Sequence, residues 1–221
     1  CQIIMSKKTL IKSASIISAA TLFSRVLGFL RMMLMARTFG TGWLAQAFFV
    51  AFRIPNMLRE LAGEGASNAA FIPVFSEYLA TKSRQEFWRL ITKVFVALLA
   101  VVTLITALGV MFSPFLVKIL TPGFMEDAAK FALTVQMNSV LFVYFIFIAV
   151  AAFLMGVLYA FQSFLASSLF PGVFNVVLIT AIMCADNSIQ GIWKLVVGVI
   201  IAGILQVIIQ LPALLKCGFR F

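Results

Sequence analysis

The sequence predicts an all-α polytopic membrane protein with six transmembrane helices, and three observations predict it. Of 221 residues, 63% are hydrophobic and 11% charged, with a mean hydropathy of +1.13; a soluble domain is about half apolar and a quarter charged. The apolar residues gather in runs long enough to cross hydrocarbon, which takes about 20 helical residues. Between the runs lie short stretches of glycine, proline, serine and charge, which punctuate helices.

Residues 1–4, "CQII", precede Met5 and are read as upstream or added residues outside the fold. "SKKTLIK" followed by apolar residues has the look of a secretion signal. No small-residue cleavage pattern closes a short apolar core, so it is read as the lead into a retained first helix. The first span covers 13–37 and ends at the glycine turn "FGTGW". The second, 45–75, is the least regular. Pro55 removes a backbone donor, and Gly63 and Gly65 loosen the helix, so kinks are expected. "SEYLATKSRQEFWR", 76–89, reads as a polar connector, and 94–117 as the third span. "KILTPGFMEDAAK", 118–130, is a turn centred on Pro122-Gly123.

From Phe131 to Ala185 no residue is charged. As one helix these 55 residues would extend about 80 Å, far beyond a bilayer. A break is therefore expected in "FQSFLASSLFPG", 161–172, giving spans at 131–160 and 169–185. "DNSIQG", 186–191, turns the chain into a sixth span at 195–215, bent near its end by Pro212.

The 17 Lys+Arg outnumber 7 Asp+Glu, a net charge of +10. In a soluble protein this would suggest nucleic acid; in a membrane protein it sets topology, and no nucleic-acid partner is expected. Six spans place both termini on one side. Lys7, Lys8 and Lys12, the connector residues Lys82, Arg84, Arg89 and Lys93, and the tail residues Lys216 and Arg220 then share that side. Lys118, Lys130 and Lys194 lie opposite, with Arg37 at the end of the first span. Basic residues favour the cytoplasm, so both ends are expected there.

Chemistry is poorly supplied. There is no histidine, and Cys1, Cys184 and Cys217 have no paired spacing, so neither a disulfide framework nor a metal site follows. No nucleophile–base set or phosphate-binding glycine loop is present, and no cofactor is implied. The expectation is a transporter rather than an enzyme.

The informative residues are charges inside apolar runs. "FSRVLGFLRMMLMARTFG", 23–40, carries Arg25, Arg31 and Arg37, and the second span carries Arg53 and Arg59. A mid-bilayer arginine costs roughly 2.5–3.5 kcal/mol on insertion scales. Arg37, at a span end, can snorkel to the interface, and Arg53 either snorkels or joins a cavity. Arg25, Arg31 and Arg59 are assigned to a water-filled cavity between helices, since intramembrane charges default to function. Residues six apart are displaced by about 120° around a helix, so Arg25 and Arg31 reach one cavity only through a bend, as at Gly28, or converging stems. Glu60 and Glu64 are the only carboxylates in the first two spans, too few to neutralise the set. The surplus charge calls for an anion, and the guanidinium fork suits phosphate. A lipid-linked phosphate or pyrophosphate fits, its tail in lipid and its head in the cavity. Ser24, Asn56, Glu64 and Arg53 are candidate lining residues. Gln136, Asn138, Ser139, Asn175, Gln206 and Gln210 could line a route, but the preferred reading is hydrogen-bond glue between helices.

"FSRVLGFLR" at 23–31, "AFFVAFRIPNMLRELAGEGASNAAFIPVFSEY" at 47–78 and "TPGF" at 121–124 resemble the MurJ/MviN lipid II flippases of the multidrug/oligosaccharidyl-lipid/polysaccharide exporter superfamily. The likeness runs along the chain after Met5 to "LQVIIQLPALLK" at 205–216. It implies one lobe of a two-lobe exporter fold in a bacterial inner membrane. It also implies movement of lipid II, the undecaprenyl-pyrophosphate-linked peptidoglycan precursor, to the outer leaflet by alternating access, hence a role in cell-wall biogenesis and cell shape. Arg25, Arg31 and Arg59 fall at the family's cavity arginines, which assigns them the pyrophosphate; Glu64 and Asn56 match motif positions near the cavity. Two positions depart from the family: Met32 and Gln46 stand where an acid is usual. The chain also matches only the N-terminal lobe. A C-terminal lobe, in this or another chain, is expected as partner alongside lipid II and membrane lipids, and this chain alone is expected to be inactive.

Two other functions suit parts of this pattern. A polysaccharide or multidrug exporter of the same superfamily shares the architecture, although central arginines repel cationic drugs. A polyprenyl-pyrophosphate phosphatase would use Arg25, Arg31 and Glu64.

Overall fold

The structure, a computed structural model, describes residues 7–60, 66–163 and 165–219. Among the described residues there are nine α-helices, one 3-10 turn and no strand. They are α1 (Lys7–Phe39), α2 (Trp43–Glu60), α3 (Ala66–Thr81), α4 (Arg84–Met111), α5 (Ser113–Leu120), α6 (Ala128–Ala160), α7 (Leu165–Met183), α8 (Ile189–Ile208) and α9 (Leu211–Lys216).

Helix α6 is the hub, packing against α2, α3, α4, α5 and α8. It is apolar all round, as a helix surrounded by others must be. Its residues Met137, Leu141, Tyr144 and Ile148 meet Ala47 and Ala51 of α2 and Val196 and Val199 of α8 in one core. Further along, Phe153, Val157 and Leu158 meet Phe75, Phe87, Ile91 and Leu214 in a second. Helix α1 packs on α7, and α7 on α8. Gly203 permits the close approach of α8 to α6: a Cβ there would stand 2.8 Å from the Tyr144 ring.

Several boundaries differ from the sequence reading. The expected connector at 76–89 is mostly helix, because α3 continues to Thr81 and α4 begins at Arg84. Only Lys82 and Ser83 separate them, and Ser83 and Glu86 form a reciprocal capping box that starts α4. The long uncharged segment turns at the very start of 161–172. Gln162 adopts a left-handed φ of 57°, and Pro171-Gly172 lies inside α7. The last apolar segment is interrupted at residues 209–210, between α8, which ends at Ile208, and α9, whose first turn holds Pro212. Gly63 and Gly65, where loosening was expected, lie outside the described residues. Four segments among the described residues are long and apolar enough to cross a membrane: Ser18–Phe39, Arg84–Met111, Ala128–Ala160 and Ile189–Lys216. Leu169–Met183 is a shorter apolar helix.

Between α7 and α8, Asp186 lies 3.9 Å from Lys194 Nζ. The Ser188 hydroxyl, then a backbone N–H, and then the Lys194 charge hold its carboxyl below the usual aspartate range. A lowered folded-state value means this support is complete above the ordinary carboxylate range and is lost as pH falls through the lowered value. Acid titration of thermal stability is therefore expected to show a small loss below about pH 4 that Asp186→Asn removes.

Candidate functional site

Five helices enclose a pocket of about 320 Å³. Arg31 comes from α1, Phe52 and Asn56 from α2, Tyr144 from α6, Phe170, Pro171, Phe174 and Asn175 from α7, and Gln206 from α8. Its floor is aromatic. Phe52 and Phe174 stack with centroids 6.0 Å apart, and Tyr144 tilts against both. The Arg31 guanidinium carbon lies 5.4 Å from the Phe174 ring centroid. Such a contact stabilises a cation by about 0.5–2 kcal/mol, most when desolvated. It recovers part of what placing arginine in an apolar helix costs.

Polar side chains of neighbouring helices complete the walls. Asn175 Nδ2 donates to the Ser24 carbonyl at 2.9 Å and to Ser24 Oγ at 3.3 Å, tying α7 to α1. Gln206 Nε2 donates to the Phe170 carbonyl at 2.9 Å, tying α8 to α7. Asn56 Nδ2 donates to Glu60 Oε1 one turn below it, at 2.8 Å. Among the described residues the lining holds one cation, amides and aromatic rings, and no carboxylate, thiol or imidazole. Such a site can bind an anion. Among the described residues no cluster suits a metal ion.

The residues singled out in the sequence separate here. Arg31 and Asn56 share the pocket. Ser24 is buried and serves as the acceptor for Asn175 rather than as lining. Arg25 and Arg53 are exposed and lie outside this lining. Helix α1 runs unbroken through Gly28, so the six-residue spacing keeps Arg25 and Arg31 on different faces. Arg59 belongs to α2, but its side chain lies outside the described residues, as does all of Glu64. Asn175 and Gln206 do both things weighed for them: each bonds a neighbouring backbone, and each lines the pocket. Asn138 and Gln210 lie outside this lining and bond across helices, to the Ala51 and Ala151 carbonyls, and Gln210 Nε2 also donates to the Gln206 carbonyl one turn earlier. The aromatic floor went unrecognised in the sequence, because phenylalanine at helical spacing is the ordinary signature of packing.

Gln46, one of the two positions singled out in the sequence, accepts a 2.6 Å hydrogen bond from Lys130 Nζ and donates to the Thr41 carbonyl. It lies at the start of α2 and outside the Arg31 pocket. Met32 lines a smaller gap that Arg31 and Phe52 also border. Gln46→Glu should convert the bond to Lys130 into an ion pair. The expected gain is about 0.2–1 kcal/mol at this exposed position, seen as a higher unfolding midpoint that disappears in high salt.

Comparison with known proteins gives a single answer. The family model described as lipid II flippase MurJ matches residues 35–221. The probable lipid II flippase MurJ of Rhizobium tropici is 37% identical over 203 residues, covering 90% of this chain and 38% of that protein. That of Vibrio cholerae is 37% identical over 222 residues, covering 96% and 42%. The lipid II flippase MurJ of Burkholderia cenocepacia is 34% identical, covering 90% and 39%. A solved lipid II flippase MurJ in an inward closed conformation superposes with a TM-score of 0.66 at 23% identity, covering 87% of this chain and 41% of that one, which shows the shared fold. The chain thus spans about two fifths of the length of the relatives it matches.

Proposed function

We propose that this chain, which belongs to the MurJ lipid II flippase family, forms one lobe of a transporter that carries lipid II from the inner to the outer leaflet of the bacterial cytoplasmic membrane. The observation that carries this reading is Arg31, set over Phe174 in a pocket between α1, α2, α6, α7 and α8. A fixed guanidinium in an apolar bundle suits a phosphate group whose lipid tail stays in the bilayer. Arg31 receives the pyrophosphate in the pocket, Arg59 is a further contact, and Arg25, outside the pocket lining, meets the headgroup elsewhere along its route, with Ser24, Asn56, Arg53 and Glu64 as supporting residues. No bond of the substrate is broken; rocking of this lobe against a second one exposes the pocket to alternate sides. The six segments cross the membrane with both ends cytoplasmic, as the distribution of basic residues supports.

The test is export. A chimaera joining this chain to the C-terminal remainder of the Vibrio cholerae relative should sustain growth of a bacterium depleted of its own flippase, and inner-leaflet lipid II should fall. A stably inserted chimaera that leaves lipid II accumulated inside would overturn the assignment.

A further inference from the structure

Arg84 is the first residue of α4, directly after the Ser83 cap. A cation in that position opposes the helix dipole. Its side chain turns away to other elements instead. Nη1 donates to the carbonyl of Cys217, the residue that caps the C-terminal end of α9, and the guanidinium carbon lies 5.2 Å from the centroid of the Phe161 ring. Carbonyls at a helix end lack partners within their own helix, and an arginine side chain can supply one. One turn along α4, Trp88 stacks on Phe161 with centroids 5.7 Å apart and meets Phe219 edge-on at 5.2 Å. Phe161 itself ends α6, just before the left-handed residue Gln162. Arg84 and Trp88 thus join the start of α4 to the α6–α7 turn and to residues 217–219.

We infer that Arg84 is the latch of a strap, Cys217–Phe219, which opens and closes without unfolding the helices it lies on. Gly218 has a φ of 91°, and a Cβ there would stand 3.2 Å from Arg84 Nη1. Glycine therefore both permits the backbone and leaves room for the guanidinium. The Gly218 and Phe219 N–H groups bond back to the Leu215 and Leu214 carbonyls, so these backbone bonds end within α9, and Arg84 supplies the tie to another helix. Phe219 borders an apolar cavity of about 470 Å³, together with Trp88, Phe95, Phe153 and Leu214. A short exposed segment beside a cavity opens at a lower free-energy cost than a packed helix. None of this depends on what the Arg31 pocket binds.

Cys217 is the reporter. Burial pushes its thiol up from the ordinary value, and the Arg84 charge pulls it down. The thiolate is the nucleophile that a maleimide traps. Loss of the Arg84 charge alone therefore slows labelling, whereas release of the strap speeds it. The chain in nanodiscs is treated with a water-soluble maleimide, and mass spectrometry of its peptides reads Cys217 against the exposed Cys184. Arg84→Ala should raise the Cys217 rate about tenfold, the effect of about 1.4 kcal/mol. Gly218→Ala, which keeps the arginine but strains the strap, should also raise it. Arg89→Ala, which removes another exposed charge of α4, should leave it unchanged. Amide exchange at 217–219 should speed in Arg84→Ala while α6 stays protected. An unchanged or slower rate at Cys217 in either Arg84→Ala or Gly218→Ala overturns the latch. Equal acceleration of exchange in α6 and at 217–219 overturns it too, because Arg84 would then support the whole fold and not a separate strap.

Discussion

Replacing Arg31 by alanine is expected to weaken binding of a pyrophosphate-bearing lipid by roughly 10- to 150-fold, the equivalent of about 1.5–3 kcal/mol for a hydrogen bond to a charged group. Titration of the chain in nanodiscs with undecaprenyl pyrophosphate measures it. Arg31→Lys should recover only part of the loss. Lysine keeps the charge but not the planar fork that meets two phosphate oxygens or lies flat on Phe174. A lysine variant that binds as well as the original would reduce the role of Arg31 to charge alone. The fold should survive both changes, because Arg31 is half-exposed and the cores are built by α6 with α2, α4 and α8.

The second large effect concerns the backbone of α2. Pro55 sits inside that helix and has no N–H to give the Ala51 carbonyl one turn earlier. Asn138 of α6 supplies the missing donor: its Nδ2 lies 2.7 Å from Ala51 O. Its Oδ1 in turn accepts from Ser113 Oγ of α5 at 2.7 Å. Asn138 and Ser113 are fully buried, so water cannot take either part. Asn138→Leu should therefore destabilise the chain by about 1–3 kcal/mol, the cost of a stranded buried acceptor, measured by unfolding in mixed micelles. Pro55→Ala returns an N–H to position 55. In that background Asn138→Leu should cost less, with a coupling of at least about 0.6 kcal/mol, the mean found for interhelical bonds in a membrane protein. Strict additivity of the two changes would show that Asn138 acts by packing and not by repairing the proline gap.

That pair also shows where sequence reasoning ended. Pro55 announced a broken helical bond, and Asn138 announced interhelical glue, but nothing in the sequence joined them across 83 positions. The same holds at the pocket. Arg31 was legible, because a guanidinium in an apolar run violates the rule the rest of the run obeys. Its companions Arg25 and Arg53 broke the same rule and do not line the pocket, since their direction depends on helix phase and on which neighbour each helix faces. Asn175 and Gln206 were weighed as glue or lining and do both, since each bonds a neighbouring backbone carbonyl from within the pocket wall. Capping at Ser83 was legible in the spacing to Glu86, but the polar composition of 76–89 masked it.

Composition and the lengths of the uncharged runs determined by themselves that this protein is a bundle of helices in lipid, since unpaired backbone groups are not tolerated there. The charges within those runs are what the proposal of an anionic ligand started from. The tertiary structure alone decided which arginine meets which aromatic ring, where the helices start, and which amide answers the proline. Those outcomes turn on the rotation and depth of each helix against its neighbours, which depend on the packing of side chains far apart in the chain and are not encoded in any local stretch.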